Sequence, residues 1–140
     1  QHDGFLGHSF IGEWVNLGAD TNNSDLKNNY GNVSFHSYLS DSKVDSGTMF
    51  LGTMIGDHAK LGINTSINTG CVIGIGSNLY GPNLISGFIP DFSWGQASQL
   101  VRYHFDRFCA TAAAVKARRG LEFSPGETEL FRVLHGRSGG

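Results

Sequence analysis

The sequence has few of the features that mark several large protein classes. It holds two cysteines and three prolines in 140 residues, and two cysteines cannot build a framework of several disulfides. Ten Lys and Arg against twelve Asp and Glu give a net charge of −2, which argues against nucleic-acid binding driven by net charge. Its apolar runs are far shorter than a membrane span, and its start does not read as a signal peptide. These absences predict a soluble, cytoplasmic protein with no membrane span and no nucleic-acid partner.

Glycine, in contrast, is abundant, with 20 in 140 residues, about twice the usual share. Many of these glycines belong to a repeat of period six. Large apolar residues recur at every sixth position, and a compact residue stands four places after each. The apolar series is Met49, Ile55, Leu61, Ile67, Ile73, Leu79 and Ile85, and the compact series is Thr53, Ala59, Thr65, Cys71, Ser77 and Asn83. A shorter copy has Phe5, Ile11 and Leu17, followed at the same offset by Ser9, Val15 and Thr21.

A period of six fits neither an α-helix nor a simple alternating strand. It is typical of a three-sided coil in which each side is a short strand and a turn, and stacked coils bury a continuous apolar column. The alternative is chance alternation in a glycine-rich β-sandwich. We expect the turns to use residues that tolerate left-handed backbone angles. The candidates are Gly12, Gly18, Gly56, Gly62, Gly74, Asn16, Asn64, Asn68 and Asn78.

The repeat predicts a β-helix over residues 1–92, interrupted by a long loop at about 22–48. Phe35, Tyr38 and Met49-Phe50 would anchor this loop, which favours an ordered, protruding loop over a disordered one. So few coils are marginal alone, which suggests further coils upstream, a homotrimer, or both. The chain also begins in mid-motif without Met, so we expect it to be a piece of a longer polypeptide.

The C-terminal sequence predicts a helical cap over residues 93–135, followed by a flexible tail at 136–140. From Gln96 an apolar stripe has helical spacing, and Gly120 would terminate that helix. Ser124-Pro125-Gly126-Glu127 has the order of an N-cap, a first-turn proline and a capping-box glutamate, which predicts a second helix. The first stripe is Leu100, His104, Phe108, Thr111 and Val115, and the second helix would carry Leu130, Val133 and Leu134.

Two motifs resemble one family. Gln1-His-Asp-Gly-Phe-Leu-Gly-His-Ser-Phe-Ile-Gly-Glu-Trp-Val-Asn-Leu-Gly-Ala-Asp-Thr21 and Met54-Ile-Gly-Asp-His-Ala-Lys-Leu-Gly-Ile-Asn-Thr65 look like the acetyltransferase half of the bifunctional bacterial N-acetylglucosamine-1-phosphate uridyltransferase/glucosamine-1-phosphate acetyltransferases. The tail Phe-Ile-Pro-Asp-Phe-Ser-Trp-Gly95 is most similar to the two-domain sugar nucleotidyltransferase members from Bacteroidetes. The resemblance implies a trimeric, left-handed parallel β-helix, mainly β, with sites for acetyl-CoA and for a sugar phosphate or nucleotide-sugar between subunits. It also implies a nucleotidyltransferase domain upstream of this chain.

The same resemblance implies roles for five residues. His2 matches the general base that removes a proton from the sugar amine, a task that suits an imidazole. Phe5 and Asn16 match residues around the sugar phosphate, and Asn29 and Tyr30 match the pair that contacts the acyl donor, if the loop carries an insertion. The chain departs from the family at two positions: Asp20 replaces a glycine, and Ile63 replaces a donor-contacting serine.

The histidines and lysines also allow a metal site or a phosphate site to be considered. A zinc site would need three converging imidazoles; His2, His8, His36 and His58 lack the spacing for one, so no metal is expected, and His8 is expected to have a surface role. Lys60 and Lys116 are expected to be solvated. Two functions stay open: an acyl-CoA-dependent acyltransferase of sugar phosphates or nucleotide-sugars, and a non-catalytic module that trimerises and positions a nucleotidyltransferase.

Overall fold

The protein is mainly β. The structure is a computed structural model that describes residues 2–139. Gln1, the first residue of the predicted β-helix, and Gly140, the last residue of the predicted tail, lie outside this range. Within that range there are fourteen strands and two helices. The strands are β1 (Gly4–Phe5), β2 (Phe10–Ile11), β3 (Asn16–Leu17), β4 (Thr21–Asn23), β5 (Ser34–Ser37), β6 (Ser42–Asp45), β7 (Met54–Ile55), β8 (Lys60–Leu61), β9 (Ser66–Ile67), β10 (Val72–Ile73), β11 (Asn78–Leu79), β12 (Phe88–Ile89), β13 (Ser93–Gln96) and β14 (Gln99–Arg102). The helices are α1 (Phe105–Ala117) and α2 (Pro125–Arg137).

The short strands form three parallel sheets that the chain visits in turn. The first sheet has the order β1-β4-β9, the second β12-β10-β7-β2, and the third β13-β11-β8-β3, with β14 antiparallel at its edge. Corresponding strands of successive coils lie directly above one another; Lys60 pairs with both Asn16 and Asn78, for example. This rotation through three parallel sheets is compatible with the predicted β-helix.

The predicted apolar column is confirmed from Ile55 to Ile85. The residues of the six-residue frame are almost fully buried and pack into one cluster, where each contributes about 1.5–3 kcal/mol by leaving water. The compact positions are buried too, and their polar atoms find partners: Thr53 Oγ1 donates to the Cys71 carbonyl at 2.9 Å. The buried compact residues are Thr53, Ala59, Thr65, Cys71 and Ser77.

Three positions of the predicted frame are wrong. Phe5 pairs with Asn22, which pairs with Ser66; both are exposed, so Phe5 lies on the outer face and is 53 % exposed. The reason is the spacing of the first coil. Leu6, not Phe5, occupies the position that corresponds to inward-facing Ile67, and Ile11 follows Leu6 after five residues instead of six. Met49 and Asn83 are also exposed. Met49 lies at the end of the inserted loop, and Asn83 lies in a bend that precedes the bridge between Ile85 and Ile67.

The turn glycines have a different role from the one predicted. The left-handed residues of the coils lie two positions further along, at His8, Trp14, Asp20, His58, Asn64, Gly70 and Gly76. Of the four asparagines, only Asn64 adopts a left-handed angle. The predicted glycines instead permit close approach between coils: a Cβ on Gly18 would lie 2.4 Å from the Gly62 carbonyl carbon. Asp20, with φ +59°, occupies an angle that favours glycine.

The parallel sheets continue beyond the predicted end of the repeat. Ile85 bridges to Ile67, and Ile89, only four residues later, pairs with Ile73 and is buried. The predicted helix start at Gln96 is wrong. The residues before α1 form β14, which pairs with β13 and covers the edge of the third sheet, and α1 begins at Phe105.

The two helices pack on the coils through a second, aromatic core of Phe92, Tyr103, Phe108, Ala112 and Phe131. Both predicted helix signals are confirmed. Ser124 and Glu127 form the capping box of α2. Gly120, at φ +72°, ends α1 in a Schellman motif, with Gly120 N–H donating to the Ala117 carbonyl and Leu121 N–H to the Lys116 carbonyl.

Lys116 is not solvated as expected, because its Nζ lies in this core beside the Trp14 ring and 2.5 Å from Glu127 Oε1. The Lys116 hydrogen bond, aided by the Ser124 backbone N–H, lowers the pKa of Glu127 to about 2. His58 is also buried in this core, in edge-to-face contact with Phe108 and Phe131, and its Nδ1 has no partner in the described residues. Burial, helped by the charge on Lys60, lowers its pKa to about 4.

The inserted segment between β4 and β7 contains an antiparallel hairpin, β5 and β6. It folds against the second sheet: the His36 ring stacks on Phe88 with 3.8 Å between centroids, and Tyr38 Oη donates to Asp91 Oδ1 at 2.8 Å. At the base of the segment Val33 is fully buried. The tip, in contrast, presents Leu39 fully to solvent.

Candidate functional site

The five residues predicted for the site lie at exposed positions of the first coil and of the inserted segment. His2 precedes β1 and makes a long contact of 3.4 Å from Nδ1 to the Asp3 carbonyl. Phe5 lies on the first sheet and Asn16 on the third, so one chain does not bring these two together. Asn29 Oδ1 accepts from the Gly31 N–H, and the neighbouring Tyr30 is exposed. Ile63, at the position of the donor-contacting serine, is exposed too.

A histidine–aspartate pair occupies the corner between β1 and β2. His8 Nδ1 lies 2.7 Å from Asp25 Oδ2, and the side chains are 56 % and 20 % exposed. The His8 ring also packs on Phe50, with 5.1 Å between ring centroids. A carboxylate at Nδ1 holds the proton on that nitrogen and leaves Nε2 as the proton acceptor. The pair therefore has the form of an oriented base on the protein surface.

A buried amide fixes the backbone under this pair. The Asn23 side chain, almost fully buried, accepts from Gly7 N–H at 2.8 Å and donates to the Gly7 carbonyl at 3.0 Å. Ser9 Oγ donates to the same carbonyl at 2.7 Å. Gly7 lets Asp25 approach the backbone closely, because a Cβ at residue 7 would lie 2.3 Å from Asp25 Oδ2 and would displace that side chain. The hydrogen bonds of Asn23 and Ser9 thus fix the backbone of the corner that carries His8.

An apolar groove of about 480 Å³ runs between the second sheet and the inserted hairpin. The outward residues of the sheet form its floor, Phe35 and Tyr38 of the hairpin form its roof, and Leu134 of α2 closes one side. The floor residues are Phe10, Met54 and Val72. Phe10 is two residues from His8 along the chain. A groove of this size and polarity suits the apolar part of a small ligand.

One hydrogen bond fastens the roof of this groove. Asp91 Oδ1 accepts from Tyr38 Oη and from the Ile75 N–H, both at 2.8 Å. Burial raises the pKa of Tyr38, and the hydrogen bond to Asp91 and the Asp91 charge add to that effect. The phenol therefore stays protonated and continues to donate at any physiological pH.

A basic pocket of about 390 Å³ lies between the third sheet and α1. Lys60, Arg118 and Arg119 line it together with Asn16, and none of its lining residues is acidic. Lys60 is not solvated as expected: its Nζ donates to the Trp14 and His58 carbonyls at 2.6 and 2.9 Å, and burial lowers its pKa to about 8. Three cationic side chains around one cavity suit an anionic group such as a phosphate.

Residues 2–139 also limit the kinds of site that the structure can hold. No three His, Cys, Asp or Glu side chains in this range are grouped so that they could hold a metal ion. No helix in it has the length and apolar character needed to cross a bilayer.

Sequence reasoning missed both the His8–Asp25 pair and the basic pocket. His8 and Asp25 are 17 positions apart, and they meet because one coil of three sides returns the chain to the same corner. The repeat could have predicted this pair, because residues that are one coil apart lie at the same corner. Lys60 and the two arginines, in contrast, come together only through the packing of α1, which no repeat period encodes.

The chain is similar over part of its length to a known protein. It is 34% identical over 79 residues to a bifunctional sugar-1-phosphate nucleotidylyltransferase/acetyltransferase of Sulfurisphaera tokodaii. The match covers 56% of this chain and 19% of the relative, so it spans about a fifth of that protein's length. No family model matches the chain.

Proposed function

We propose that the chain is the acyltransferase domain of a bifunctional sugar nucleotidyltransferase, transferring an acyl group from acyl-CoA to an amino-sugar phosphate or nucleotide-sugar. The observation that carries the proposal is the similarity to an enzyme named for both nucleotidyl and acetyl transfer. The parallel three-sheet architecture supports it, because it matches the coil that the family resemblance implies. The proposal includes a left-handed coil and kinship with the two-domain members from Bacteroidetes.

The apolar groove under the hairpin is the proposed place for the acyl donor. Its floor and roof are almost entirely apolar, and Phe10 is among its lining residues. The pantetheine arm of an acyl-CoA carries methyl and methylene groups between its amides, and those apolar groups would lie in the groove. Asn29 and Tyr30, which the resemblance matches to donor contacts, are both exposed and free to take part.

The basic pocket is the proposed place for a phosphate of the acceptor or of the donor. Asn16, which the resemblance matches to a sugar-lining residue, lies in the same pocket as Lys60, Arg118 and Arg119. A sugar phosphate needs this pairing of an amide for hydroxyl groups and cations for the phosphate. Substitution of Arg119 by Gln is therefore expected to raise the KM for a phosphorylated acceptor about tenfold and to leave the kcat nearly unchanged.

We also propose a homotrimer. Several large apolar side chains are exposed on the single chain, and Leu84 and Leu39, which lie outside the groove, are 53 % and 101 % exposed. An interface between subunits would cover such residues, and it would let Phe5 of one subunit approach the site of another. Sedimentation equilibrium of the protein distinguishes the outcomes, with three chain masses expected and a single chain mass contradicting the assembly.

The direct test of the function is release of free thiol from acetyl-CoA. The protein at its full natural length is mixed with a panel of amino-sugar phosphates, and the matching hydroxyl-sugar phosphates serve as control acceptors. Thiol release that depends on an amino acceptor supports acyl transfer to nitrogen. Absence of thiol release with every acceptor in the panel would favour the other candidate, the non-catalytic module that trimerises and positions a nucleotidyltransferase domain.

A matched pair of substitutions tests the groove. Phe10→Asp places a charge at its opening and should raise the KM for acetyl-CoA at least tenfold. Val101→Asp changes a similarly exposed strand residue, 58 % exposed on β14 and outside the groove; its KM should stay within twofold. Equal effects of the two variants would exclude the groove as the donor site.

A further inference from the structure

We infer that a phosphate group bound in the basic pocket holds both C-terminal helices on the coils and thereby also fixes one wall of the apolar groove. This inference rests on the proposed function, which places a phosphate in that pocket. The pocket has two halves. Asn16 and Lys60 lie on the third sheet, whereas Arg118 and Arg119 follow directly after α1. A ligand that contacts both halves therefore bridges the coils and the helix.

The cations of the pocket are available to a ligand. Within residues 2–139, neither Arg118 nor Arg119 takes part in an ion pair, and both are exposed. On the sheet side, two carbonyls hold Lys60, which leaves one of its three ammonium donors for a ligand.

These cations lie close enough to repel one another. A compact cavity of about 390 Å³ is about 9 Å across, close to the Debye length of about 8 Å at physiological ionic strength. Lys60 on the sheet therefore repels Arg118 and Arg119 at the end of the helix. An anion between them turns this repulsion into attraction, which favours the docked position of α1.

The buried contacts of α1 end just before the pocket. Phe108, Ala112 and Lys116 are buried, whereas residues 117–120 are exposed. The last turn of the helix therefore depends on the pocket for further contact with the coils. Local opening has its lowest free energy at such weakly held ends, so a ligand at this position acts where α1 is released most easily.

The two helices share one interior, which connects the pocket to the groove. Lys116 of α1 pairs with Glu127 of α2, and Phe108 packs edge to face on Phe131 in the aromatic core. Leu134 of α2 packs against the same core and also lines the apolar groove. Among the described residues that line the basic pocket, none belongs to α2. A phosphate in the pocket thus reaches the groove only through the packing of α1 on α2.

Hydrogen–deuterium exchange of the full natural-length protein tests this coupling, with inorganic phosphate as the probe at pH 7 and constant ionic strength. If the helices open only after phosphate has left, their exchange slows by the factor 1 + [L]/Kd, which is about elevenfold at ten times the Kd. We expect this factor in α2 as well as in α1. The amides of the β5–β6 hairpin are the internal control and should change less than twofold, because none of the hairpin residues lines the pocket.

A matched pair of arginine substitutions assigns the effect to the pocket. Arg118→Gln removes one of its cations and should raise the Kd for phosphate about tenfold in calorimetry. Arg137→Gln changes an exposed arginine in the last turn of α2, outside the pocket, and should leave the Kd within twofold. Equal effects of the two substitutions would contradict the assignment of phosphate to this pocket.

The outcomes separate the coupling from the proposed function, because neither measurement uses acyl transfer. Absence of phosphate binding in calorimetry would overturn the pocket and the coupling together, and thiol release would still test acyl transfer. Phosphate binding that slows exchange in α1 alone, or in neither helix, would overturn only the coupling.

Two further ligands identify the source of the phosphate group. Slower helix exchange with an amino-sugar phosphate places the acceptor in the pocket, and slower exchange with adenosine 3′,5′-bisphosphate, the nucleotide end of CoA, places the donor there. Slower exchange with inorganic phosphate alone would support the coupling and remove the pocket from the proposed acyl transfer.

Discussion

The approach of adjacent coils at Gly18 leads to a quantitative stability prediction. A Cβ at this position would lie 2.4 Å from the Gly62 carbonyl carbon and 2.5 Å from Ile63 N, so Gly18→Ala forces the first coil away from the second by about 1 Å. Overpacking of this kind costs about 1–3 kcal/mol. The hydrogen bond from Gly18 N–H to the Leu61 carbonyl, 2.9 Å long, would weaken as well. We expect a loss of about 2–3 kcal/mol in the free energy of unfolding.

Thermal unfolding followed by circular dichroism measures this loss. For a chain of 140 residues, 2–3 kcal/mol corresponds to a fall in Tm of about 7–10 °C. Gly136→Ala is the matched control, because no atom lies within 4 Å of a Cβ at that position of α2; its Tm should rise by about 2 °C through the gain in helix propensity. A Gly18→Ala variant as stable as the unmodified protein would refute close approach between coils as the reason for these glycines.

Three further predictions concern the helices and the hairpin. His58 is neutral in the folded protein, with its pKa lowered to about 4, so the free energy of unfolding should fall by about 2–3 kcal/mol as the pH drops from 6.5 to 4. In urea titrations, His58→Phe should remove most of that fall. A pH dependence unchanged by the substitution would contradict the burial of His58. Glu127→Gln leaves Lys116 without its anionic partner and should lower the free energy of unfolding by about 2 kcal/mol at pH 7. The difference from the unmodified protein should disappear as the pH falls from 4.5 to 2, because Glu127 itself becomes protonated there. The control Glu129→Gln, in an exposed pair, should change the free energy of unfolding by less than about 0.5 kcal/mol. Tyr38→Phe should speed hydrogen exchange of the hairpin amides about fivefold by removing a bond worth about 1 kcal/mol, and protection equal to that of the unmodified protein would show that the bond to Asp91 does not hold the hairpin.

Much of the fold could be predicted from the sequence, because the repeat records a physical constraint at every sixth residue. Ile55 to Ile85 line the interior since one side of the coil uses six residues. The prediction failed where a side is shorter, as between Leu6 and Ile11 and after Ile85. It also failed at β14, whose Leu100 fits a helical stripe equally well. The pairing of β14 with β13 decides that conformation, and a window of local sequence does not contain this long-range contact.

The candidate site was less accessible to sequence reasoning. A glycine after an apolar residue looks like a turn residue, and only the distance between Gly18 and Gly62 shows that it serves the contact between coils. Similarly, Lys116 looks like a solvated surface cation until the packing of α2 brings Glu127 to it. The family resemblance drew attention to His2, the histidine that falls in the motif. The oriented histidine, His8, depends on Asp25, and the partnership is visible only when the first coil is closed.

The most direct test of the central proposal is the rate of thiol release from acetyl-CoA by the full natural-length protein, measured with an amino-sugar phosphate and with the matching hydroxyl-sugar phosphate. Acyl transfer to nitrogen predicts thiol release that requires the amino group. No thiol release with any amino-sugar phosphate, or equal rates with the two acceptors, would contradict it.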